Sequence, residues 1–529
     1  MGKSKSEVAE EPCERRTSPS KRIRLDVTAS DFAELEDHHP YGALPGGNVF
    51  FSEQARQAIR PSDLLPDDDA WLHILGYCNG RDLAFLVRVC RYFYVAGHSP
   101  ELWRDLVLRR CHTEKRPIRS VGPTWKDTYV KLFYSEIPPH QPMSIPGIYS
   151  DTMYRLHSCR SFCIPKVWLD RSPTDTLERV SVKDLTVSRF KSRYENPNIP
   201  LLIEEAAKGW KAFERWNQPE YLLQHAAGRT FRTTSGVAPL PGNFSLDAYL
   251  DYCESTILEE APLYLFDRTA LEPGSHLWND YMDDLQRSCP YWDPELMKSN
   301  GHDLFQVLGE GRRPDHTWLI AGPKRSGSVF HIDPNCTHAW NAAICGRKRW
   351  IFYPPGVTPP GVHPSADGDE VTLPLSVGEW IFQFWDEHIQ RKQSAPRHER
   401  PLECTAMPGD VIFVPHGWWH LVVNLDKMNI AITHNYVSDS NLSNTLKFLE
   451  TKLDQISGCR DREESIKPEH LSEEFKKALK QQVPEFLNKA LKVPTWTCRA
   501  WKDAEAPKKS VIEQAKEAGP SSSFSFSFL

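Results

Sequence analysis

A succession of short apolar runs between about residues 180 and 437 most constrains the fold of this chain. The runs are rich in β-branched and aromatic residues, and Gly, Pro, Asn and Asp turns bound them. Short strands with such turns are typical of an all-β sandwich or barrel, whereas alternating βαβ units would place helical patterns between them. We therefore predict a mainly β protein with a jelly roll, or double-stranded β-helix, at its centre. The runs are 201–203, 263–266, 318–320, 329–331, 350–353, 411–414, 421–423 and 429–436.

Helical patterns flank the predicted barrel on both sides. Before it, Leu72, Leu75, Leu83, Leu86 and their neighbours recur largely at spacings of three and four residues, which predicts a small all-α domain over 58–112. After it, a similar stripe and the helix-opening Pro468 predict a C-terminal helical region over 441–495. Residues 113–180 are a connecting region to the barrel at 181–440. The composition of the two ends, 1–45 and 504–529, predicts a disordered arm and a disordered tail.

Composition and charge limit the function classes. No apolar run approaches the roughly 18 residues that cross a bilayer, and the charged N-terminus has no apolar signal segment, so we expect an intracellular protein without a membrane span. The net charge of -6 disfavours direct nucleic-acid binding, which needs a basic face, and is compatible with a basic protein or peptide substrate. The 13 cysteines are scattered without a paired framework, which predicts reduced thiols.

Two histidines and one aspartate form the candidate metal site. His331 and Asp333 lie two residues apart on a β-run, so their side chains leave the same face of the strand. His420 follows two tryptophans and immediately precedes the run at 421–423. Two imidazoles and one carboxylate suit non-heme Fe(II) and leave coordination positions open. Zinc is the competing metal, since the same ligand types suit a hydrolytic site, but the chain has no His-Glu-x-x-His motif.

The residues around this site resemble those of a known family. The motifs are Ala261-Pro262-Leu263-Tyr264-Leu265-Phe266-Asp267, Arg325-Ser326-Gly327-Ser328, His331-Ile332-Asp333-Pro334, Ala339-Trp340-Asn341-Ala342, Gly346-Arg347-Lys348-Arg349-Trp350, Gly417-Trp418-Trp419-His420 and Ile430-Ala431-Ile432-Thr433. In these motifs the chain resembles the Jumonji C (JmjC) oxygenases, which use Fe(II) and 2-oxoglutarate. Within them it is most similar to the branch typified by the arginine demethylase and lysyl hydroxylase once called the phosphatidylserine receptor. The resemblance implies a cupin-like JmjC barrel.

The JmjC resemblance also implies roles for the site residues. His331, Asp333 and His420 would hold Fe(II), with 2-oxoglutarate and O2 as cosubstrates. The distal carboxylate of 2-oxoglutarate would pair with Lys348 and accept hydrogen bonds from Tyr264 and Thr433, and its iron-bound end would contact Asn341. Between His420 and Thr433 the chain has one residue more than the family pattern, which makes the register of Thr433 less secure.

The orientation of Lys348 can be argued from the residues alone. Lys348 lies 17 residues beyond His331 on the next β-run, and a buried carboxylate needs a cationic partner. Strand alternation turns Lys348 away from the side taken by Arg347 and Arg349, which favours Lys348 alone pointing inward. The alternative is a solvated basic edge formed by all three residues.

A shorter pattern in the first helical region has a second resemblance. It consists of Leu64-Leu65-Pro66, Trp71-Leu72-His73-Ile74-Leu75, Asp82-Leu83, Val89-Cys90-Arg91 and Leu102-Trp103. These residues resemble an F-box, the adaptor-binding module of SCF ubiquitin ligases, and so imply a Skp-type adaptor as partner. F-box motifs are degenerate, and a purely structural helical hairpin is the alternative.

The two resemblances together imply a function. We expect a nuclear protein, with a cytoplasmic pool as an open alternative, that demethylates or hydroxylates Arg or Lys side chains of histones or other nuclear proteins. The rival hypothesis is a ubiquitin-ligase substrate receptor whose barrel recognises proteins with little turnover. An acidic loop, Asp367-Gly368-Asp369-Glu370, is a candidate contact for a cationic peptide. The C-terminal helices offer a surface for a homodimer.

Overall fold

The strands of the predicted barrel form two facing sheets. The computed structural model of the chain describes residues 27–32, 38–46, 68–134, 142–171, 173–226, 228–255, 257–365, 368, 370–460 and 462–492. Its strands are β1 (Ala43–Leu44), β2 (Ile148–Tyr149), β3 (Arg179–Ser181), β4 (Leu201–Glu204), β5 (Thr230–Thr234), β6 (Gly242–Ser245), β7 (Tyr264–Asp267), β8 (Thr317–Gly322), β9 (Gly327–His331), β10 (His338–Cys345), β11 (Lys348–Tyr353), β12 (His363–Pro364), β13 (Val371–Thr372), β14 (Leu402–Ala406), β15 (Val411–Val414), β16 (Trp419–Asn424) and β17 (Asn429–Tyr436).

Strand order explains how the lumen of the barrel is enclosed. Among the described residues, the larger sheet has nine strands in the order β3-β4-β15-β10-β17-β8-β7-β5-β6, and the smaller sheet has four in the order β14-β11-β16-β9. Within each sheet the neighbouring strands are antiparallel, except that β3 and β4 are parallel. Side chains from both sheets meet in one apolar cluster that includes Trp350, Phe352 and Val422 from the smaller sheet and Ala339 and Ile412 from the larger one. The predicted jelly roll is confirmed.

The structure adds elements that the apolar runs did not predict. Strands β10 and β14 lie in stretches without a run of large β-branched residues. A helix over Val377–Ser394 lies inside the stretch predicted to be β-rich, because it begins at a local cap: the Ser376 hydroxyl accepts a hydrogen bond from the amide of Glu379 at 3.0 Å. Its apolar face, including Trp380 and Trp385, covers the outer side of the smaller sheet. The short apolar runs did not predict this helix.

The α-helices surround the two sheets. They are α1 (Asp68–Leu75), α2 (Gly80–Leu86), α3 (Arg91–Ala96), α4 (Pro100–Thr113), α5 (Trp125–Phe133), α6 (Asp151–Ser161), α7 (Val187–Phe190), α8 (Lys211–Arg215), α9 (Pro219–His225), α10 (Leu246–Glu254), α11 (His276–Asn279), α12 (Met282–Ser288), α13 (Met297–Asn300), α14 (Val377–Ser394), α15 (Leu442–Thr451), α16 (Pro468–Gln482) and α17 (Pro484–Ala490). None of the described helices is long and apolar enough to cross a membrane.

The first helices pack directly against the barrel. Trp103 and Val107 on α4 belong to the same apolar cluster as the outer face of the larger sheet. Nη1 of Arg104 lies 3.3 Å from Oε1 of Glu259, and both side chains are at most 1% exposed. Because a buried charge is stable only with a partner, this pair ties α4 to the segment that precedes β7. The Leu64-Leu65-Pro66 motif lies outside the described residues.

Part of the predicted disordered arm is ordered. Val27 and Phe32 are buried against α14, where the carbonyl of Val27 accepts a hydrogen bond from Nε1 of Trp385 at 3.0 Å. Ala43 and Leu44 pair in parallel with β2. The expectation of disorder over 1–45 is wrong for residues 27–32 and 38–45, because apolar side chains in these segments are buried in clusters of the folded domain. Residues 1–26 and the predicted tail lie outside the described part of the chain.

Candidate metal and cosubstrate site

Strand pairing brings the three predicted metal ligands together. His420 on β16 is the register partner of His331, the last residue of β9, and Asp333 lies two residues beyond the end of that strand. One ligand atom from each of the three side chains lies within 4.8 Å of the others, and Nε2 of His420 is 3.9 Å from Oδ1 of Asp333. The approach of β9 to β16 depends on Gly327, since a Cβ there would lie 2.0 Å from the carbonyl oxygen of Val422.

Backbone carbonyls fix which imidazole nitrogen is free in each histidine. Nδ1 of His331 lies 2.9 Å from the carbonyl oxygen of Val329, and Nδ1 of His420 lies 3.2 Å from that of Trp418. A carbonyl only accepts, so each Nδ1 carries the proton and each Nε2 keeps its lone pair. Both histidines are therefore held in the tautomer that can bind a metal ion through Nε2.

Burial sets the charge state of the cluster. Burial lowers the pKa of His420 well below its ordinary value, and the neighbouring His331 lowers it further. The same burial raises the pKa of Asp333. Oδ2 of Asp333 is buried without a hydrogen-bond partner among the described residues. A neutral imidazole and a buried, unsatisfied carboxylate oxygen are what a metal cation would need, so the donor set fits a bound divalent ion.

A buried lysine without a counter-charge lies on the same wall of the lumen. Lys348 on β11 is 1% exposed, and Nζ donates a hydrogen bond to the Tyr264 hydroxyl at 2.9 Å. No carboxylate among the described residues forms an ion pair with it. An isolated buried ammonium costs several kcal/mol, so this site fits an anion that comes from outside the chain. The alternative of a solvated basic edge is wrong, because Lys348 and Arg349 are both buried and only Arg347 is partly exposed.

The larger sheet contributes the other predicted residues. Asn341 on β10 and Thr433 on β17 are register partners, and both are buried. The Thr433 hydroxyl donates its one proton to the carbonyl of Trp340 at 3.1 Å, so in this arrangement it cannot also donate the hydrogen bond to 2-oxoglutarate that the resemblance implies. Oδ1 of Asn341 is buried without a hydrogen-bond partner in the described part of the chain. Tyr264 packs in the lumen against Ile320.

Sequence reasoning missed Asn424, which is completely buried. Asn424 is the register partner of Lys348, and its Nδ2 donates to the hydroxyl of Ser326 at 2.8 Å. Its Oδ1 has no partner among the residues described. The available signal was a polar residue two positions beyond Val422 on the lumen-facing side of an apolar strand. Two residues of the predicted acidic loop, Asp367 and Asp369, lie outside the described residues.

Comparison with known proteins identifies two domains. A cupin-like domain matches residues 187–441, and an F-box-like domain matches residues 63–109. The cupin-like match contains every predicted metal and cosubstrate residue, and the F-box-like match contains α1 to α3 and most of α4.

Relatives of the whole chain and of the barrel carry related names. The arginine-specific demethylase JMJ22 of Arabidopsis thaliana is 35% identical over 498 residues, which cover 92% of this chain and 89% of the relative. The bifunctional arginine demethylase and lysyl-hydroxylase psr-1 of Caenorhabditis briggsae is 33% identical over 270 residues, or 51% of this chain and 63% of that protein. The 2-oxoglutarate and iron-dependent oxygenase JMJD4 of Danio rerio is 35% identical over 57% of this chain and 70% of its own length. The chain therefore belongs to the JmjC family with a cupin-like barrel and an N-terminal F-box-like domain.

Proposed function

We propose that this protein is an Fe(II)- and 2-oxoglutarate-dependent oxygenase that acts on Arg or Lys side chains of basic proteins. The observation that carries the proposal is Lys348, a buried cation without a counter-charge among the described residues, on the same sheet as the His331, Asp333 and His420 cluster. Along β16, Asn424, the register partner of Lys348, lies four residues from His420. That is about 13 Å of extended strand. In this proposal a short dicarboxylate occupies the space between the cation and the metal.

Each residue has a defined task in this proposal. His331 and His420 offer Nε2 to iron and Asp333 offers its unsatisfied oxygen. Lys348 neutralises the far carboxylate, and Tyr264 holds the Lys348 ammonium in place. When bound, iron together with 2-oxoglutarate and O2 supplies the oxidation of a substrate C–H bond. The apolar walls around Trp350 and Phe352 exclude water from this chemistry.

The substrate class is proposed from the relatives and from charge. The names of the relatives include arginine demethylase, lysine demethylase and lysyl hydroxylase. The net charge of -6 favours a cationic protein substrate. Oxidation of an N-methyl carbon leads to demethylation, whereas oxidation of a chain carbon leaves an alcohol. We propose a nuclear location, in keeping with histone-like substrates.

Metal analysis and succinate release test this proposal. Anaerobically purified protein should retain one iron, and it should release succinate when 2-oxoglutarate, a histone-tail peptide and O2 are added. His331→Ala and Asp333→Ala should lose both iron and succinate release, with a loss of at least about 100-fold because the metal supplies the chemistry. The control His398→Ala, an exposed histidine, should behave as wild type. Full succinate release in either ligand variant would overturn the iron assignment.

A specific surface favours a second function, adaptor binding by the F-box. Four large apolar side chains on or just after α1 and α2 are exposed: Ile74 by 41%, Tyr77 by 77%, Phe85 by 71% and Val89 by 59%. Ile74 and Phe85 lie on the two helices, and Tyr77 and Val89 lie in the turns that follow them. Exposed apolar clusters of this kind mark protein contacts.

A pull-down with a Skp-type adaptor tests the second function. The double variant Tyr77→Asp/Phe85→Asp should lose adaptor binding, since it puts two charges into an apolar contact, and should keep succinate release. Leu453→Asp, at a similarly exposed apolar residue far along the chain, is the matched control. Undiminished binding by the double variant would reduce the F-box to a structural helical domain.

A further inference from the structure

A second cavity lies on the face of the larger sheet opposite to the metal site. It encloses about 850 Å³, a size typical of ligand sites. Trp340 and His434 line it. Each is adjacent in sequence to a residue of the predicted cosubstrate site, Asn341 or Thr433, so strand alternation turns the two pairs to opposite faces. The cavity is therefore separate from the lumen of the barrel.

The arginines that line this cavity already have partners. Arg313 forms a bidentate pair with Asp303, with distances of 2.9 Å from Nη1 to Oδ2 and 2.7 Å from Nη2 to Oδ1. Nε of Arg268 and Nε of Arg462 lie 3.6 Å and 3.0 Å from the two carboxylate oxygens of Asp315. The three guanidinium groups thus share two carboxylates. The cavity lining contains six carboxylates against three arginines, so it is negatively charged and does not define an anion site.

Negative charge at the cavity remains largely uncompensated. Four exposed glutamates line it: Glu272, Glu310, Glu463 and Glu464. Glu310 lies 3.3 Å from Nε2 of His316 and 4.0 Å from the already paired Arg313. The other three form no ion pair with any residue that the structure describes. Four carboxylates with so little compensation raise the local concentration of cations.

Two further side chains point to a cationic ligand. Trp278 lines the cavity half-buried and packs against the apolar cluster that contains Trp340, and its indole makes no hydrogen bond or aromatic ring contact with another described residue. An accessible indole face close to carboxylates attracts Lys and Arg side chains. His302 is 5% exposed, and its Nδ1 has no hydrogen-bond partner in the described part of the chain. Burial lowers the pKa of His302 to about 3, so this neutral ring can accept a hydrogen bond.

We propose that this cavity binds a lysine or arginine side chain of a basic polypeptide, between the Trp278 indole and the surrounding glutamates. A polypeptide is the occupant because the cavity is much larger than one side chain and its glutamates are exposed to solvent, so that they can be reached by a side chain whose backbone stays outside. The site contains no residue of the metal cluster. The proposal therefore goes beyond the oxygenase function and does not depend on it.

Fluorescence anisotropy with a labelled peptide of four Gly-Lys repeats tests the site on the full chain. The Kd should rise about tenfold in Trp278→Leu, which keeps an apolar side chain but removes the aromatic face, and should stay within about threefold in Trp278→Phe. Glu463→Gln/Glu464→Gln should raise the Kd about fivefold, and added salt should reduce this difference. The same peptide with acetylated lysines, which carries no side-chain charge, should not bind.

The matched control is Glu469→Gln/Glu473→Gln, which removes two exposed carboxylates on α16 that do not line the cavity. Its Kd should equal that of wild type. An equal loss in this control would assign binding to the overall negative charge and overturn the site. Equal binding of the acetylated peptide, or a wild-type Kd in both Trp278→Leu and the Glu463/Glu464 pair, would also overturn it. Thermal melts of each variant separate a loss of binding from a loss of folding.

Discussion

Lys348 and Arg349 are consecutive residues on β11, and both are buried, yet their surroundings differ completely. Lys348 faces the lumen and has one neutral partner, the hydroxyl of Tyr264. Arg349 faces the outer side of the smaller sheet, where its guanidinium pairs with the carboxylates of Asp175 and Glu403. One strand thus carries two buried cations, one on each face, and only one of them is neutralised by the described part of the chain.

The outer cation is part of a closed network. Besides its two carboxylate partners, Arg349 donates to the hydroxyls of Thr405 and Thr174, each at 3.1 Å. Glu403 is shared with Nζ of Lys392 at 3.0 Å and Nε2 of His388 at 2.8 Å. Every charge has a partner of opposite sign, which is how buried ions are stabilised in a protein that binds nothing at that point.

The contrast teaches how a buried charge can reveal a ligand site. Two adjacent residues share strand geometry, burial and sign of charge, so these properties cannot distinguish structure from function. The presence or absence of a counter-charge can. On this criterion Arg349 stabilises the fold, whereas Lys348 fits an anion that the described residues do not supply, which in the proposed function is the distal carboxylate of 2-oxoglutarate.

Replacing Lys348 should have the largest effect on the cosubstrate. We expect Lys348→Met to weaken 2-oxoglutarate binding by at least about 100-fold, because a carboxylate would then be buried without its cation, at a cost of about 3 kcal/mol or more. Calorimetric titration measures this loss. The melting temperature should stay the same or rise, since an unpaired buried charge is removed. A wild-type affinity in Lys348→Met would move the carboxylate site elsewhere.

Replacing Arg349 should instead affect stability. We expect Arg349→Met to lower the free energy of unfolding by about 3 kcal/mol, the low end for a broken buried pair, because Lys392 and His388 still face Glu403. Denaturant melts measure the loss, and 2-oxoglutarate affinity should change less than twofold. The second variant Arg349→Met/Glu403→Gln should regain part of the stability. If Arg349→Met lost affinity for 2-oxoglutarate without losing stability, this would contradict the assignment of cosubstrate binding to the lumen face of β11 and of stability to its outer face.

The difference in stability between wild type and Arg349→Met should also depend on pH. Burial alone would raise the pKa of Glu403, but Arg349, His388 and Lys392 hold it well below its ordinary value. A carboxylate with a depressed pKa stabilises the fold above its unfolded pKa of about 4.3 and loses this contribution as the pH falls. The difference in the free energy of unfolding between wild type and Arg349→Met should therefore be largest near pH 7 and should become smaller below about pH 4. A gap that widens in acid would contradict this assignment.

The sequence alone predicted the orientation of Lys348 on one face of β11, but it did not predict the partners of Arg349 on the other face. Alternation along 347–349 predicted that Lys348 points inward, because the period of a strand is a local property. The partners of Arg349 could not be predicted, since Asp175 and Glu403 lie 174 and 54 residues away along the chain. Such pairs depend on how separate segments pack, which no local pattern encodes.

The same difference between local patterns and distant partners explains which other strands and site residues could be predicted from the sequence. The eight predicted runs each contain or overlap a strand, because their β-branched and aromatic side chains are themselves the signal. Strand β10, with His338, Ala339, Asn341 and Ala342, has small and polar residues and becomes a strand only because neighbours on both sides pair with it. The metal ligands were predicted because their residue types are rare in apolar strands, whereas Asn424 needed its register with Lys348.

The smallest effect in this comparison should come from the hydroxyl of Tyr264. Tyr264→Phe removes the neutral partner of Nζ of Lys348 but leaves the charge in place, so we expect 2-oxoglutarate affinity to fall by about fivefold, or about 1 kcal/mol, the value of one hydrogen bond. Tyr353→Phe is the matched control. Its buried hydroxyl lies on the outer face of β11, the strand of Lys348, and is 2.8 Å from Nδ1 of His388. Tyr353→Phe should lower the free energy of unfolding by about 1 kcal/mol, and its affinity for 2-oxoglutarate should not change. If both variants weakened 2-oxoglutarate binding equally, the loss would reflect general loosening of the smaller sheet, and the two faces of β11 would not be functionally distinct.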